Sequence, residues 1–128
     1  MSAMPANNAD LVREAVTRAF IKRDTTVFAE YWSEDYKQHN PMFADGSEHL
    51  ASAIEHLPPG FRYDIGPVVS EGNLVMVHGR YVGWTEKPTI AVDISRVEGG
   101  KIVEHWDVLQ EEVPADKTVS GRPMFPAG

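Results

Sequence analysis

The sequence predicts an α+β fold, with three helices ahead of a mainly antiparallel sheet of four to six strands. Three observations carry this. Apolar residues recur at helical spacing as far as Leu57. Pro58-Pro59-Gly60 then stops that pattern abruptly. Beyond it lie four extended segments separated by turn signals. Helices first and strands afterwards is the α+β order, whereas a parallel sheet needs them to alternate.

Residues 1–9 read as a flexible arm. From Asp10, Leu11, Val12, Ala15, Val16, Ala19 and Phe20 mark the apolar stripe of the first helix, with Asn8 or Asp10 as its N-cap. Asp24 and Thr25 open a second helix that turns Val27, Phe28, Tyr31 and Trp32 inward. Tyr36 to His39 is a short extended piece, and Pro41 keeps Asn40 out of helical geometry. Asp45-Gly46-Ser47 is a turn and cap for the third helix, which carries Leu50, Ala53, Ile54 and Leu57. The strand candidates are Phe61 to Val69, Leu74 to Trp84, Thr89 to Val97 and Lys101 to Gln110. The main domain therefore spans residues 10–110, and residues 111–128, proline-rich and aperiodic, form an extended tail.

With 128 residues and 42% hydrophobic content, the chain suits one domain with a core of its own. It contains no cysteine, which removes disulfides, thiolate metal sites and a cysteine nucleophile. A net charge of −7 opposes nucleic acid and anionic membranes as partners. The opening residues lack a basic region and an apolar run, so the expected location is cytoplasmic. No P-loop, G-x-G-x-x-G or G-x-S-x-G motif supports nucleotide binding or serine hydrolysis.

Two segments are specific enough to carry a resemblance: Tyr36-Lys37-Gln38-His39-Asn40-Pro41, and the run from Asp93 through Glu98-Gly99-Gly100-Lys101 to His105-Trp106-Asp107. They resemble the SnoaL-like family of the nuclear transport factor 2-like superfamily. The order of elements is similar over roughly residues 10–110. The resemblance implies a cone-shaped roll, in which a curved sheet wrapped by three helices encloses a pocket, usually in a homodimer. In the polyketide cyclases of that family the aspartate after the His-Trp pair is the acid/base, a position held here by Asp107. Those cyclases carry a cavity histidine fourteen residues earlier, where this chain has Asp93.

The residues themselves give a reading beside that one. Asp107 sits in a strand too apolar for a casual surface charge, and Asp93 follows Ile90-Ala91-Val92. A three-residue turn or a bulge at Glu98-Gly99-Gly100 pairs odd residues with odd ones. Asp93 and Ser95 then share a face with Val103, His105 and Asp107. A two-residue Gly-Gly turn instead sets Asp93 opposite Trp106. The resemblance favours the first arrangement, in which two close carboxylates share a proton.

Asp107, Asp93 and His105 are therefore the candidate catalytic residues, and His39, Asn40, His78, Tyr31 and Trp32 the candidate substrate-binding ones. Each of the latter has a plain structural alternative: His39 and Asn40 can fix the turn before Pro41, and Tyr31 and Trp32 can pack helix on sheet. Arg96, of opposite parity to Asp93, faces away. No contiguous ligand spacing points to a metal, and no cofactor is expected.

The expected activity is acid/base catalysis on a small hydrophobic or carbonyl-bearing molecule, as an aldol-type cyclase, isomerase or lyase. Water activation on an epoxide by paired aspartates, and a non-catalytic binding module, are the alternatives. A homodimer through the outer sheet face, with Trp106 in the interface, is expected because the strands carry apolar residues of both parities.

Overall fold

The fold is taken from a computed structural model, which describes residue 5 and residues 7–125. Helix α1 (Asn8–Val16) runs into a π-helical turn (Thr17–Ile21). Helix α2 (Val27–Tyr31), strand β1 (Trp32–Gln38) and helix α3 (Ser47–Glu55) come next. The four long strands are β2 (Arg62–Glu71), β3 (Leu74–Val82), β4 (Thr89–Glu98) and β5 (Lys101–Glu111). The five strands form one curled sheet in the order β1-β5-β4-β3-β2. Only the β1–β5 pairing is parallel.

Local chemistry explains the helix boundaries. Asn7, rather than Asn8 or Asp10 as expected, caps α1 by accepting the Asp10 N–H at 2.9 Å. Asn8 and Ala9, placed in the flexible arm by the sequence reading, are therefore helical; residues 1–4 and 6 of that arm lie outside the described residues. Arg18 in the π-helical turn reaches Asp24 at 2.9 Å and Glu30 at 2.7 Å, tying the first helical segment to the second. Asp24 accepts the Thr26 N–H at 3.0 Å and so organises the entry to α2. Trp32, expected on the inner face of this helix with Ser33-Glu34-Asp35 as its end, is instead the first residue of β1.

The core lies between the helices and the concave face of the sheet. Leu11, Val12, Ala15 and Ala19 from the first helical segment meet Val75, Val77 and Tyr81 from β3, all buried. Alternation along β3 puts these odd-numbered residues inside, and leaves Met76, His78 and Arg80 on the outer face. Gly79 keeps the inner parity because the Tyr63 ring lies over it; a Cβ there would sit 2.6 Å from that ring.

The β4–β5 hairpin settles the register by a route that combines both sequence alternatives. The turn is the two-residue Gly99-Gly100 kind, with φ of 58° and 77°, values that only glycine adopts cheaply. Glu98 pairs with Lys101 and Val97 with Ile102, but Arg96 pairs with Glu104. Val103 is thus an extra, bulged residue. Beyond it Ser95 faces His105 and Asp93 faces Asp107. Ile102, rather than Val103 as expected, is the buried residue at this end of β5. Glu111 still belongs to β5, and the tail then makes a short 3-10 turn (Ala115–Lys117). Phe125 returns to pack edge-on against His78; residues 126–128 lie outside the described residues.

Candidate active site

A cavity of about 200 Å³ opens between the helices and the concave sheet face. Val12, Val16 and Phe20 from the first helical segment and Leu50, Ile54 and Leu57 from α3 and its end make its apolar wall. Trp32, Phe43, Phe61 and Trp84 add aromatic rings. Its polar end is built from Gln38 on β1, Asp93 and Ser95 on β4, and His105 and Asp107 on β5. An apolar hollow with a few converging polar groups is the usual form of a small-molecule site.

The polar end is a connected network. His105 Nε2 lies 2.9 Å from Asp93 Oδ1, and the Tyr81 hydroxyl donates to Asp93 Oδ2 at 2.8 Å. His105 Nδ1 lies 2.7 Å from Gln38 Oε1. Asn40 donates its side-chain N–H to Asp107 Oδ2 at 2.7 Å. Among the described residues, no buried side-chain polar atom lacks a partner. Satisfied networks of this kind hold their members in one geometry.

The network also locates a proton. Gln38 Oε1 accepts the backbone N–H of Asn40 at 3.0 Å, which fixes which end of the amide faces His105. His105 Nδ1 must then carry a hydrogen in order to donate to that oxygen. The remaining nitrogen, Nε2, faces a carboxylate oxygen. One proton must lie between them, on the ring as imidazolium or on Asp93 as the acid. Burial first, and then the charge of Asp93, pushes the Tyr81 hydroxyl well above the ordinary phenol range. The same two causes raise Tyr36 and Tyr63. Tyr81 therefore stays protonated and serves Asp93 as a fixed donor.

One oxygen from each aspartate and one ring nitrogen of His105 lie within 4.8 Å of one another, a donor set that suits a divalent cation. No contiguous ligand motif announces this set, which is why no metal is expected from the sequence; the fold assembles it from His105-x-Asp107 on β5 and Asp93 on β4. Both ring nitrogens of His105 are already engaged, so a cation would have to displace the proton at Nε2.

Of the residues singled out in the sequence, Asp107, Asp93, His105 and Trp32 line the cavity. Asn40 is buried behind the wall and acts on Asp107. Three other expected binding residues also do not reach the cavity. His39 lies on the outer face, its ring stacked on Trp106 at 4.7 Å and its Nε2 2.8 Å from Glu104, because strand alternation turns it away from Gln38. His78 lies on the outer face of β3 against Phe125. Tyr31 sits between the first two helices, its hydroxyl donating to Glu14 and its ring beneath Arg18. Arg96 faces outward as expected, holding Glu104 at 3.1 Å and covering Trp106. Gln38, Ser95, Tyr36 and Tyr81 were not among the candidates. Alternation was the available signal, since Tyr36 and Gln38 share the inward parity of β1.

A model of the SnoaL-like domain matches residues 12–105. The chain belongs to the SnoaL-like family. The match ends two residues before Asp107. No curated protein matches the chain. Among solved structures, a nuclear transport factor 2-like protein of unknown function from Cytophaga hutchinsonii is 21% identical, with a TM-score of 0.71 over 86% of this chain and 95% of its own. A candidate polyketide cyclase from Bacillus cereus is 19% identical, with a TM-score of 0.69 over 86% of this chain and 79% of that one. A candidate ketosteroid isomerase from Kribbella flavida is 16% identical, with a TM-score of 0.69 over 81% and 78%. At these identities the similarity establishes the SnoaL-like, nuclear transport factor 2-like fold. No helix among the described residues is long and apolar enough to cross a membrane.

Proposed function

We propose that the cavity catalyses proton transfer at the carbon beside a carbonyl group, with Asp107 as general base and the Asp93–His105 pair as the donor to the carbonyl oxygen. The observation that carries this is the 2.9 Å contact between His105 Nε2 and Asp93 Oδ1, on the same cavity wall as the Asp107 carboxylate. Among the described residues Asp107 has one hydrogen bond, from Asn40, which orients the carboxylate without a charge partner.

In the proposed reaction the substrate C–H bond breaks and its proton moves to Asp107. The electron pair moves onto the carbonyl oxygen, which the shared proton stabilises as an enolate or enol. Returning the proton at another carbon isomerises the substrate, while attack of the enolate carbon on a second carbonyl closes a ring. Both outcomes need the same three side chains and no cofactor. The cyclase and isomerase descriptions of two structural neighbours are compatible with either.

Epoxide hydrolysis by two aspartates and an arginine is less well supported, because Arg96 is held on the outer face by Glu104 and Asn73. The reading is tested by incubating the protein with a methyl aryl ketone in deuterium oxide and following exchange of the methyl protons. Exchange above the buffer rate supports it; a folded protein that binds the ketone and leaves exchange at the buffer rate is a binding module.

A further inference from the structure

We infer that the ligand of this cavity is an uncharged aromatic ketone of one or two rings, and that carboxylates and phosphates of the same size are excluded. This rests on the acid/base reading for the ketone, while the exclusion of anions follows from the charge of the cavity alone.

No lysine or arginine lines the cavity among the described residues. The arginines on the strands are engaged with carboxylates outside the cavity: Arg62 with Asp64 at 3.1 Å, Arg80 with Glu112 at 2.8 Å, and Arg96 with Glu104 at 3.1 Å. The second histidine on the wall, His56, stands at the end of α3 with Nδ1 held 2.7 Å from the Ser52 carbonyl. Asp93 is engaged by His105, while the Asp107 carboxylate has only the Asn40 amide beside it and no cationic partner among the described residues. An anionic ligand would lose its hydration, meet that charge across apolar walls and find no cation to pair with. A carbonyl oxygen needs no cation, only the donor that His105 and Asp93 supply.

Size and shape follow from the walls. An apolar cavity of about 150 Å³ admits benzene, so about 200 Å³ suits one ring with a carbonyl arm or two fused rings. Phe43 and Trp84 are inclined by 26° on the wall, with ring centroids 6.1 Å apart, and Phe20, Trp32 and Phe61 complete an aromatic lining. Flat rings stack well on such surfaces.

The test compares methyl naphthyl ketone with naphthoate, which share a ring system and differ by a methyl group against a charged oxygen. Binding is measured by ligand-observed nuclear magnetic resonance near neutral pH, with wild type, Asp107→Asn and Asp93→Asn, each checked for native circular dichroism. The ketone should bind, with naphthoate weaker by about tenfold or more. The gap should narrow in Asp107→Asn, where that carboxylate is gone. Naphthoate binding as tightly as the ketone, or binding of neither compound, overturns the inference. Selective ketone binding without exchange of its methyl protons leaves the preference for the neutral ligand standing and removes the acid/base reading.

Discussion

Asp93 and Asp107 stand directly opposite each other on β4 and β5, although the Gly99-Gly100 turn between those strands, left regular, would put Asp93 opposite Trp106. The extra residue Val103 makes the difference. It absorbs one position, so that Asp107 rather than Trp106 turns into the cavity, and Trp106 goes outside to stack between His39 and Arg96. The bulge therefore decides which side chains the pocket receives.

Deleting Val103 should be tolerated, because the pairs Val97–Ile102, Arg96–Glu104 and Asp93–Asp107 all survive its removal. Inserting one more residue after Val103 should instead slip the rest of β5 by one face, bringing Glu104 and Trp106 inward. Urea denaturation checks this: the insertion should lose about 2 kcal/mol or more, the deletion much less. Equal losses would mean that the bulge does not set the register.

Gln38 should govern the His105 tautomer. Replacing it by leucine removes the acceptor at Nδ1 and leaves the buried Asn40 N–H unpaired, for a stability loss of about 1–3 kcal/mol. Nitrogen-15 spectra of the imidazole should show hydrogen on Nδ1 in wild type and lose that preference in Gln38→Leu. Exchange activity should fall through kcat more than KM, since Gln38 acts on the catalytic group. An unchanged tautomer in Gln38→Leu would contradict the role.

Chelators should leave activity unchanged, because His105 offers no free ring nitrogen to a cation while it bonds Gln38 and Asp93. Loss of activity in EDTA, restored by one divalent metal at stoichiometric amounts, would convert the Asp93, His105 and Asp107 cluster into a metal centre.

How much of this was legible in the sequence follows from which signals are local. Helical spacing and the Pro58-Pro59-Gly60 stop are local, and they place α1, α2, α3 and the strands correctly to within a few residues. The motif around His105-Trp106-Asp107 likewise points to the polar end of the cavity. Parity is local as well, and it would have placed Gln38 inside and His39 outside, had β1 been taken to begin at Trp32. The Val103 bulge is not local. Glycine turn chemistry allows either register, and packing of the whole sheet on the helices selects one. The positions of Tyr31 and His78 depend on partners distant in sequence, Glu14 and Phe125, which no spacing reveals.

The protein should self-associate through the outer sheet face. Val108 there is 66% exposed and Met76 37%, beside Ile94 and Trp106 on neighbouring positions. An apolar face of this kind on a single copy is unusual, and a second copy is the expected cover. Light scattering should give about twice the 14.2 kDa chain mass, and Val108→Asp should shift it toward one chain. A wild-type protein that stays at a single chain mass at micromolar concentration would remove the dimer.

The most direct measurement is the rate of methyl-proton exchange in methyl naphthyl ketone, by wild type and by Asp107→Asn, in deuterium oxide. The substitution is nearly isosteric and keeps a group that Asn40 can bond through its carbonyl oxygen, so the fold should persist. Loss of a general base lowers such rates by about 10²–10⁴-fold. A wild type well above the buffer rate, with folded Asp107→Asn reduced by at least about a hundredfold, is the predicted result. Equal exchange by the two folded proteins would contradict the assignment of Asp107 as the base.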